Sequence, residues 1–289
     1  MFPFKRYNTL TQYSIAGGTA ERKEDFASAV ERVWPGEKGS KEAGIAPITA
    51  GNGQTAEIEP LSACGEIEPA ERFGGMAEQF RTMRARLLTL HPSPTVIVVS
   101  SPLIGDGKTV SAINLAAALA APTGEQVLLI DADMRRPSVQ KRLEIDSTIG
   151  LQEVLRGRER FEKAIVSEPR LGNLSVLPAG ASVAQPAALL GTSHWKDLIG
   201  QFRKRYSRIV IDTPPVHGLG DYPLIAQPAD GVLLVCRIDH TPRAALAESI
   251  RITGSKLLGI ILNGLTEELL CKTPGARYYR NAYRSERNS

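Results

Sequence analysis

The segment Ser100–Thr109 (Ser-Ser-Pro-Leu-Ile-Gly-Asp-Gly-Lys-Thr) contains residue types that suit phosphate binding. Glycines let backbone N–H groups turn inward on phosphate oxygens, a lysine reaches the terminal phosphates, and a Ser or Thr hydroxyl binds Mg²⁺. Pro102 replaces the first glycine of the common G-x-x-x-x-G-K-[ST] pattern, so an ordinary glycine-rich turn stays an alternative for this segment alone. The candidate phosphate contacts are Gly105, Asp106, Gly107, Lys108, Thr109 and Val110.

Two later segments place carboxylates directly after apolar runs. In Leu128–Arg135, Asp131 and Asp133 follow a predicted strand, and period-two spacing would point both side chains the same way. Two neighbouring carboxylates are unfavourable unless a cation lies near them. The alternative is an Asp pair that caps the following turn.

The segment Arg208–Pro215 contains an apolar run that ends at Asp212. This aspartate could hold Mg²⁺ directly or through water.

These candidate residues need a parallel sheet to bring them together. Continuous Val/Ile/Leu runs alternate with helical patterns, which predicts an α/β fold with a mostly parallel central sheet and helices on both faces. The three motifs, taken together and in this order, predict that it is a P-loop NTPase fold. The predicted strands are Thr95–Ser100, Gln126–Ile130, Leu174–Pro178, Arg208–Ile211, Gly231–Arg237 and Leu257–Leu262. The predicted helices are Glu78–Leu90, Thr109–Ala121, Leu151–Leu155, His194–Tyr206 and Ala244–Ile252.

Composition divides the chain into three parts. Residues 1–75 are rich in small and polar residues, carry eight basic and eleven acidic side chains, and are predicted to be largely disordered. Residues 76–270 form the predicted folded domain, and residues 271–289 form a tail with five basic residues and one acidic residue. The net charge of the whole chain is only +4, so the basic balance is concentrated in the tail.

Several classes of protein are disfavoured by the remaining residues. Three cysteines without C-x-x-C spacing argue against a disulfide framework and a cysteine-based zinc site, and they suit a reducing compartment. No apolar run reaches the ~18 residues that a membrane span needs, and no signal peptide is visible. The expected location is therefore the cytoplasm. No basic helix with base-reading residues is evident, so we expect no nucleic-acid partner.

Residues 76–265 resemble the bacterial tyrosine kinases (BY-kinases) of capsule and exopolysaccharide synthesis, which belong to the P-loop ATPases that include MinD and ParA. Leu129-Ile-Asp-Ala-Asp-Met-Arg-Arg-Pro137 is similar to the Walker-A′ element of these kinases. Further similar segments are Ile211–Pro215 with the later Asp221, Asp230–Val235 and Leu258–Asn263. The triplet Glu78, Arg81 and Arg84 fits the E-x-x-R-x-x-R element that contacts a neighbouring subunit in a ring.

The resemblance implies an autophosphorylating tyrosine kinase that uses ATP and Mg²⁺. Lys108 and the loop amides would hold the phosphates, and Thr109, Asp133 and Asp212 would hold the metal. Either Asp131 or Asp133 would accept the proton of the attacking hydroxyl, and the resemblance favours Asp131 as the base and Asp133 as the metal-linked acid. Asn263 would face the adenine or cap a loop. The implied phosphoacceptors are Tyr278, Tyr279 and Tyr283 of the tail.

The resemblance also implies partners: further copies of this chain in a ring, and a membrane-embedded polysaccharide co-polymerase that activates the kinase and recruits it to the inner face of the membrane. Two other functions stay open, an ATPase switch of the MinD/ParA type and a non-catalytic, nucleotide-sensing component of a polysaccharide export complex. MinD and ParA relatives carry a second lysine early in the loop, where this chain has Leu103. A solvated helix face is the alternative for the triplet, and a disordered basic tail is the alternative for the acceptor segment.

Overall fold

The structure, a computed structural model, describes residues 10–14, 69–121, 124–218 and 220–265. These residues form one eight-stranded sheet with the strand order β1-β8-β7-β2-β6-β3-β5-β4. The six central strands are parallel to one another, and the two edge strands β1 and β4 pair antiparallel to their neighbours. The strands are β1 (Leu10–Ser14), β2 (Val96–Ser100), β3 (Val127–Asp131), β4 (Val166–Glu168), β5 (Leu174–Leu177), β6 (Arg208–Asp212), β7 (Gly231–Arg237) and β8 (Leu257–Leu265).

The helices occupy the connections between the strands. Two are long, α1 before β2 and α2 directly after the glycine-rich loop. No described helix has both the length and the apolar character that crossing a bilayer requires. The helices are α1 (Pro69–Thr89), α2 (Lys108–Ala120), α3 (Val139–Leu143), α4 (Leu151–Leu155), α5 (Phe161–Ala164), α6 (Ala187–Leu190), α7 (Ser193–Phe202), α8 (Asp221–Ala226) and α9 (Arg243–Thr253).

The sheet separates two hydrophobic cores because successive side chains of a strand point to opposite faces. On β2, Val96 and Val98 pack into one core, and Ile97 and Val99 pack into the other. The first core contains Trp195 and other residues of α7, and the second contains residues of α1 and α2. Burial on both faces explains why the parallel strands read as continuous apolar runs.

The predicted parallel sheet with helices on both faces is confirmed, and each predicted strand and helix has an observed counterpart. The short elements β1, β4, α3, α5, α6 and α8 were not predicted. β1 lies within the segment 1–75 that was predicted to be disordered, and α1 begins at Pro69, before the predicted domain boundary at residue 76. The rest of residues 1–75 and the tail 271–289 lie outside the described residues, so the domain division is otherwise still a prediction.

Candidate active site

Three neighbouring strands deliver the candidate residues to one edge of the sheet. β2 lies between β7 and β6, and β6 is next to β3, so the carboxyl ends of β2, β6 and β3 are adjacent. Asp131 and Asp212 are direct register partners across β3 and β6. A cavity of about 990 Å³ opens above these strand ends, and its lining includes Lys108, Thr109 and Asp133. The structure therefore brings the phosphate-binding loop and the acidic segments together.

The glycine-rich loop lies close to the end of β8. Gly107 has a φ of 101°, and a Cβ atom at this position would lie 2.0 Å from Nδ2 of Asn263. The same Nδ2 donates a hydrogen bond to the backbone oxygen of Asp106 at 2.8 Å. Only glycine therefore fits at residue 107, for conformational and steric reasons alike. Asn263 lines the cavity and caps the loop, which was one of its two predicted roles, and its contact with adenine stays a prediction.

The side chain of Asp106 is fully buried and anchors the loop to the segment between β7 and α9. Its carboxylate accepts hydrogen bonds from Leu103 N at 2.8 Å and from Thr241 Oγ1 at 2.6 Å, and it lies 2.9 Å from His240 Nδ1. Asp106 thus links the loop to the segment that follows β7. His240 and Thr241 were missed because they are more than 130 positions away in the sequence and match no motif.

Lys108 forms an ion pair with Asp133, with 2.9 Å between Nζ and Oδ2. Both side chains are largely buried, with 14% and 5% of their surface exposed. Burial lowers the pKa of Lys108, but the charges of Asp212, Asp133 and Asp131 outweigh burial and raise it. The lysine is therefore protonated and available to a phosphate that displaces Asp133.

Asp131 is buried and has three backbone partners. Asp133 N donates to its Oδ1 at 3.1 Å, and Ser138 N and Val139 N each donate to its Oδ2 at 3.0 Å. Burial and the neighbouring charge of Asp212 raise the pKa of Asp131 to about 7, although the Val139 and Ser138 amides act against this rise. Asp131 therefore caps the turn that leads into α3, as the alternative interpretation of the acidic pair predicted.

The period-two spacing that was expected to point Asp131 and Asp133 the same way does not apply to this pair. β3 ends at Asp131, so the period-two alternation of a strand does not extend to Asp133. Asp133 instead lines the cavity and contacts Lys108, whereas Asp131 contacts the backbone of the following turn. The two carboxylates therefore have different surroundings and different chemical possibilities.

Asp212 is fully buried, and no described residue makes a hydrogen bond of regular geometry to its carboxylate oxygens, although the Thr109 side chain lies close enough to interact with them. Burial raises its pKa to about 6, while the charge of Lys108 and the side chain of Thr109 act in the opposite direction. A buried carboxylate without a regular hydrogen bond is costly, and it is rare without a ligand to compensate it. Carboxylate and hydroxyl oxygens are the hard ligands that Mg²⁺ prefers, so Asp212 and nearby Thr109 fit a magnesium site.

Arg135 and Asp221 form a further ion pair at the rim of the cavity. Arg135 Nε and Nη2 both donate to the Asp221 carboxylate, and Nη1 donates to the backbone oxygen of Ala184. Asp221 has 1% of its surface exposed, so this contact fixes the start of α8 beside the site. Only similarity to known kinases drew attention to Asp221, and no local pattern predicted its partner.

The predicted subunit-contact triplet lies on α1, whose apolar side packs on α2 through Phe80, Met83 and Leu87. Arg81 is exposed and Arg84 is half-buried, whereas the side chain of Glu78 is outside what the structure describes. The three tail tyrosines, Tyr278, Tyr279 and Tyr283, also lie outside the described residues. The subunit contact and the acceptor role stay predictions.

Comparisons with known proteins agree with this geometry. A family model described as an AAA domain matches residues 94–252, more than half of the chain. The tyrosine-protein kinase YwqD of Bacillus subtilis is 33% identical over 193 residues, which are 65% of this chain and 81% of the relative. The tyrosine-protein kinase ptk of Acinetobacter johnsonii is 32% identical over 193 residues, but the match spans only 26% of that longer protein.

A solved kinase domain, that of VpsO, superimposes with a TM-score of 0.61 and 34% sequence identity. The match covers 68% of this chain and 98% of that domain. Because both the sequence and the fold match over most of a kinase domain, the predicted P-loop NTPase fold is confirmed. The chain belongs to the bacterial tyrosine-protein kinases, a family of P-loop enzymes.

Proposed function

We propose that this chain is an ATP-dependent protein-tyrosine autokinase that transfers the γ-phosphate of ATP to C-terminal tyrosines of a neighbouring subunit and thereby regulates exopolysaccharide or capsule synthesis and export. The observation that carries this proposal is the fully buried carboxylate of Asp212, which lacks a hydrogen bond of regular geometry and lies near Thr109 and the Lys108–Asp133 ion pair. Asp212 could bind a cation and Lys108 could bind an anion at the same strand ends. ATP with Mg²⁺ has that charge pattern.

The loop and its lysine are proposed to hold the nucleotide. The amides of Gly105–Thr109 point toward phosphate oxygens in loops of this kind, and Lys108 adds a positive charge. Thr109 and Asp212 would bind Mg²⁺, and a link from Asp133 to the metal stays a prediction. When bound, Mg²⁺ neutralises the negative charge that develops on the phosphates.

The proton acceptor is proposed from the difference between the two aspartates. Both oxygens of Asp131 already accept backbone hydrogen bonds. Asp133 lines the cavity, and its Oδ2 becomes available if Lys108 moves to a phosphate. We therefore propose that Asp133 accepts the proton of the tyrosine hydroxyl, although the family resemblance favours Asp131.

The proposed transfer is a single displacement at the γ-phosphorus of ATP. The tyrosine oxygen forms a bond to the γ-phosphorus while its proton moves to the Asp133 carboxylate. The bond between the γ-phosphorus and the bridging oxygen breaks, and its electron pair leaves with ADP. In such a step the protein acts chiefly by positioning the reactants and stabilising charge.

The acceptors and partners are proposed from the sequence. Tyr278, Tyr279 and Tyr283 would be phosphorylated between subunits of a ring whose contacts include Glu78, Arg81 and Arg84. A membrane-embedded polysaccharide co-polymerase would activate the kinase and recruit it to the inner face of the membrane. No nucleic-acid partner is proposed.

Phosphotyrosine formation tests the function directly. The purified chain, incubated with ATP and Mg²⁺, should acquire phosphotyrosine in the tail, as mapped by mass spectrometry. Lys108→Met should abolish the signal, whereas Lys204→Met, the same substitution at an exposed site outside the cavity, should not. ATP hydrolysis without any phosphotyrosine would contradict the proposal and favour an ATPase switch. Nucleotide binding without either reaction would favour a non-catalytic sensor.

A further inference from the structure

Arg142 on the short helix α3 lines the cavity and is exposed. Its guanidinium group has no hydrogen bond or ion pair with any described residue. Arg135 at the same cavity is different, because its guanidinium is held by Asp221 and Ala184. Arg142 is thus a cation that faces the active site with its hydrogen-bond donors uncommitted.

The position of Arg142 is nevertheless well defined by its helix. Asp131 accepts hydrogen bonds from the backbone of Ser138 and Val139, where α3 begins. Val139 and Leu143 of α3 are buried in the core, with 0% and 3% of their surface exposed. The backbone that carries Arg142 is therefore anchored at its start and along its buried face, while the side chain stays free to meet a ligand.

The charge of Arg142 acts on the part of the site that would bind the reacting phosphate. It lowers the pKa of the buried Asp212 carboxylate, against the larger effect of burial, so the two groups are near enough to interact electrostatically. Asp212 is the proposed metal ligand. An anion bound between Lys108 and the Asp212 site would therefore also experience the charge of Arg142.

We propose that Arg142 binds the γ-phosphoryl group of ATP during transfer, from within the same subunit as the nucleotide. A guanidinium group presents a planar set of donors that matches phosphate oxygens. In phosphoryl transfer the charge spreads over three equatorial oxygens, where an arginine is most effective. The inference rests on the proposed kinase function, and it adds a charge-stabilising residue outside the loop and the acidic segments.

Steady-state kinetics of Arg142→Ala, Arg142→Lys and Lys141→Ala test the proposal. Lys141 is the matched control, because it is an exposed cation on the same helix that does not line the cavity. Arg142→Ala should lower kcat by about 10²-fold or more with little change in the KM for ATP, as is usual for a transition-state contact. Arg142→Lys should recover part of the rate, and Lys141→Ala should behave like the wild type. Equal rates for Arg142→Ala and Lys141→Ala would overturn the proposal.

Equilibrium binding provides a readout that does not depend on turnover. Arg142→Ala should bind Mg²⁺-ADP within about threefold of the wild type, which also shows that the variant is folded. With aluminium fluoride, which mimics the transferred phosphoryl group, the wild type should bind ADP more tightly, and Arg142→Ala should lose most of that gain. Arg142→Gln replaces Arg142→Ala if the latter does not fold. An undiminished gain in the variant would overturn the role of Arg142.

The binding experiment also separates this inference from the kinase function on which it rests. A wild type that forms no phosphotyrosine would contradict the kinase proposal. If only the Arg142 variants lost the aluminium fluoride effect in that case, Arg142 would still be the residue that binds the transferred phosphoryl group, with another acceptor for that group.

Discussion

The ends of β3 and β6 provide a direct comparison within the active site. Asp131 and Asp212 are register partners on adjacent parallel strands, and both are fully buried. Asp131 accepts three backbone hydrogen bonds, whereas Asp212 accepts none from the described backbone and interacts only with the side chains of Thr109 and Lys108. The first carboxylate stabilises the chain that follows it. The second has no such backbone contacts and is the proposed metal ligand, so similar position and burial do not imply the same surroundings.

The largest effect that would test this comparison is expected for Asp212→Asn. The amide is nearly isosteric but is a poorer ligand for a hard cation, so phosphotyrosine formation should fall by about 10³-fold or more. The Mg²⁺ concentration for half-maximal rate should also rise by about tenfold or more. Initial rates at several Mg²⁺ concentrations measure both effects, and near wild-type rates would contradict the ligand role.

A smaller effect, on stability, is expected for Asp131→Ala. It leaves the N–H groups of Asp133, Ser138 and Val139 without their acceptor, which should lower the free energy of unfolding by about 2 to 4 kcal/mol at about pH 4, where the penalty from the raised pKa of either aspartate is nearly absent. Asp212→Ala removes a carboxylate that accepts no backbone hydrogen bond and, at this pH, is largely protonated and so does not pair with Lys108; it should cost less than about 1 kcal/mol. Urea unfolding of both variants at one pH makes the comparison. Equal losses of stability would show that the two carboxylates are not distinct in this way.

The pH dependence of stability should show the cost of Asp212. Its pKa is about 6 in the folded chain against an ordinary value of 3.8, so the folded state binds the proton more tightly. The resulting penalty is absent below about pH 4, grows as pH rises, and is complete above about pH 6. Asp212→Asn should therefore be more stable than the wild type by about 1 to 3 kcal/mol at pH 7.5, and the difference should shrink toward pH 4. A difference that is constant with pH would contradict this explanation.

The smallest expected effect concerns the support of the loop. His240→Ala removes one hydrogen-bond partner of the buried Asp106 carboxylate while Thr241 and Leu103 remain, so stability should fall by only about 1 kcal/mol. The KM for ATP should rise severalfold because the loop is held less firmly. His194→Ala, an exposed histidine far from the loop in sequence, is the control. An unchanged KM in His240→Ala would show that the contact has no influence on nucleotide binding.

Much of the fold could be predicted because buried parallel strands have a simple sequence pattern. Gly231–Arg237 and Leu151–Leu155 match the observed β7 and α4 residue for residue. The short edge strand β4 was missed because three residues carry too little periodicity. β1 was missed because its strand state depends on pairing with β8, more than 240 residues later.

The site was predictable where one segment contains both the chemistry and its position. Lys108 and Asp212 are identified by the loop pattern and by an apolar run that ends in an acid, and the structure places both at the same strand ends. The contacts of Asp106 with His240, and of Arg135 with Asp221, join distant segments, so no local pattern could show them. The role of Asp131 was ambiguous for another reason, because its partners are backbone amides that any sequence supplies.

Transfer between mixed subunits tests the central claim most directly. One chain carries Asp212→Asn with all three tail tyrosines intact, and the other is active but has Tyr278, Tyr279 and Tyr283 changed to Phe. After incubation with ATP and Mg²⁺, mass spectrometry should find phosphotyrosine in the tail of the Asp212→Asn chain and only when the active chain is present. Absence of phosphotyrosine from that chain, together with wild-type labelling at the same rate at every dilution, would contradict transfer between subunits at this site.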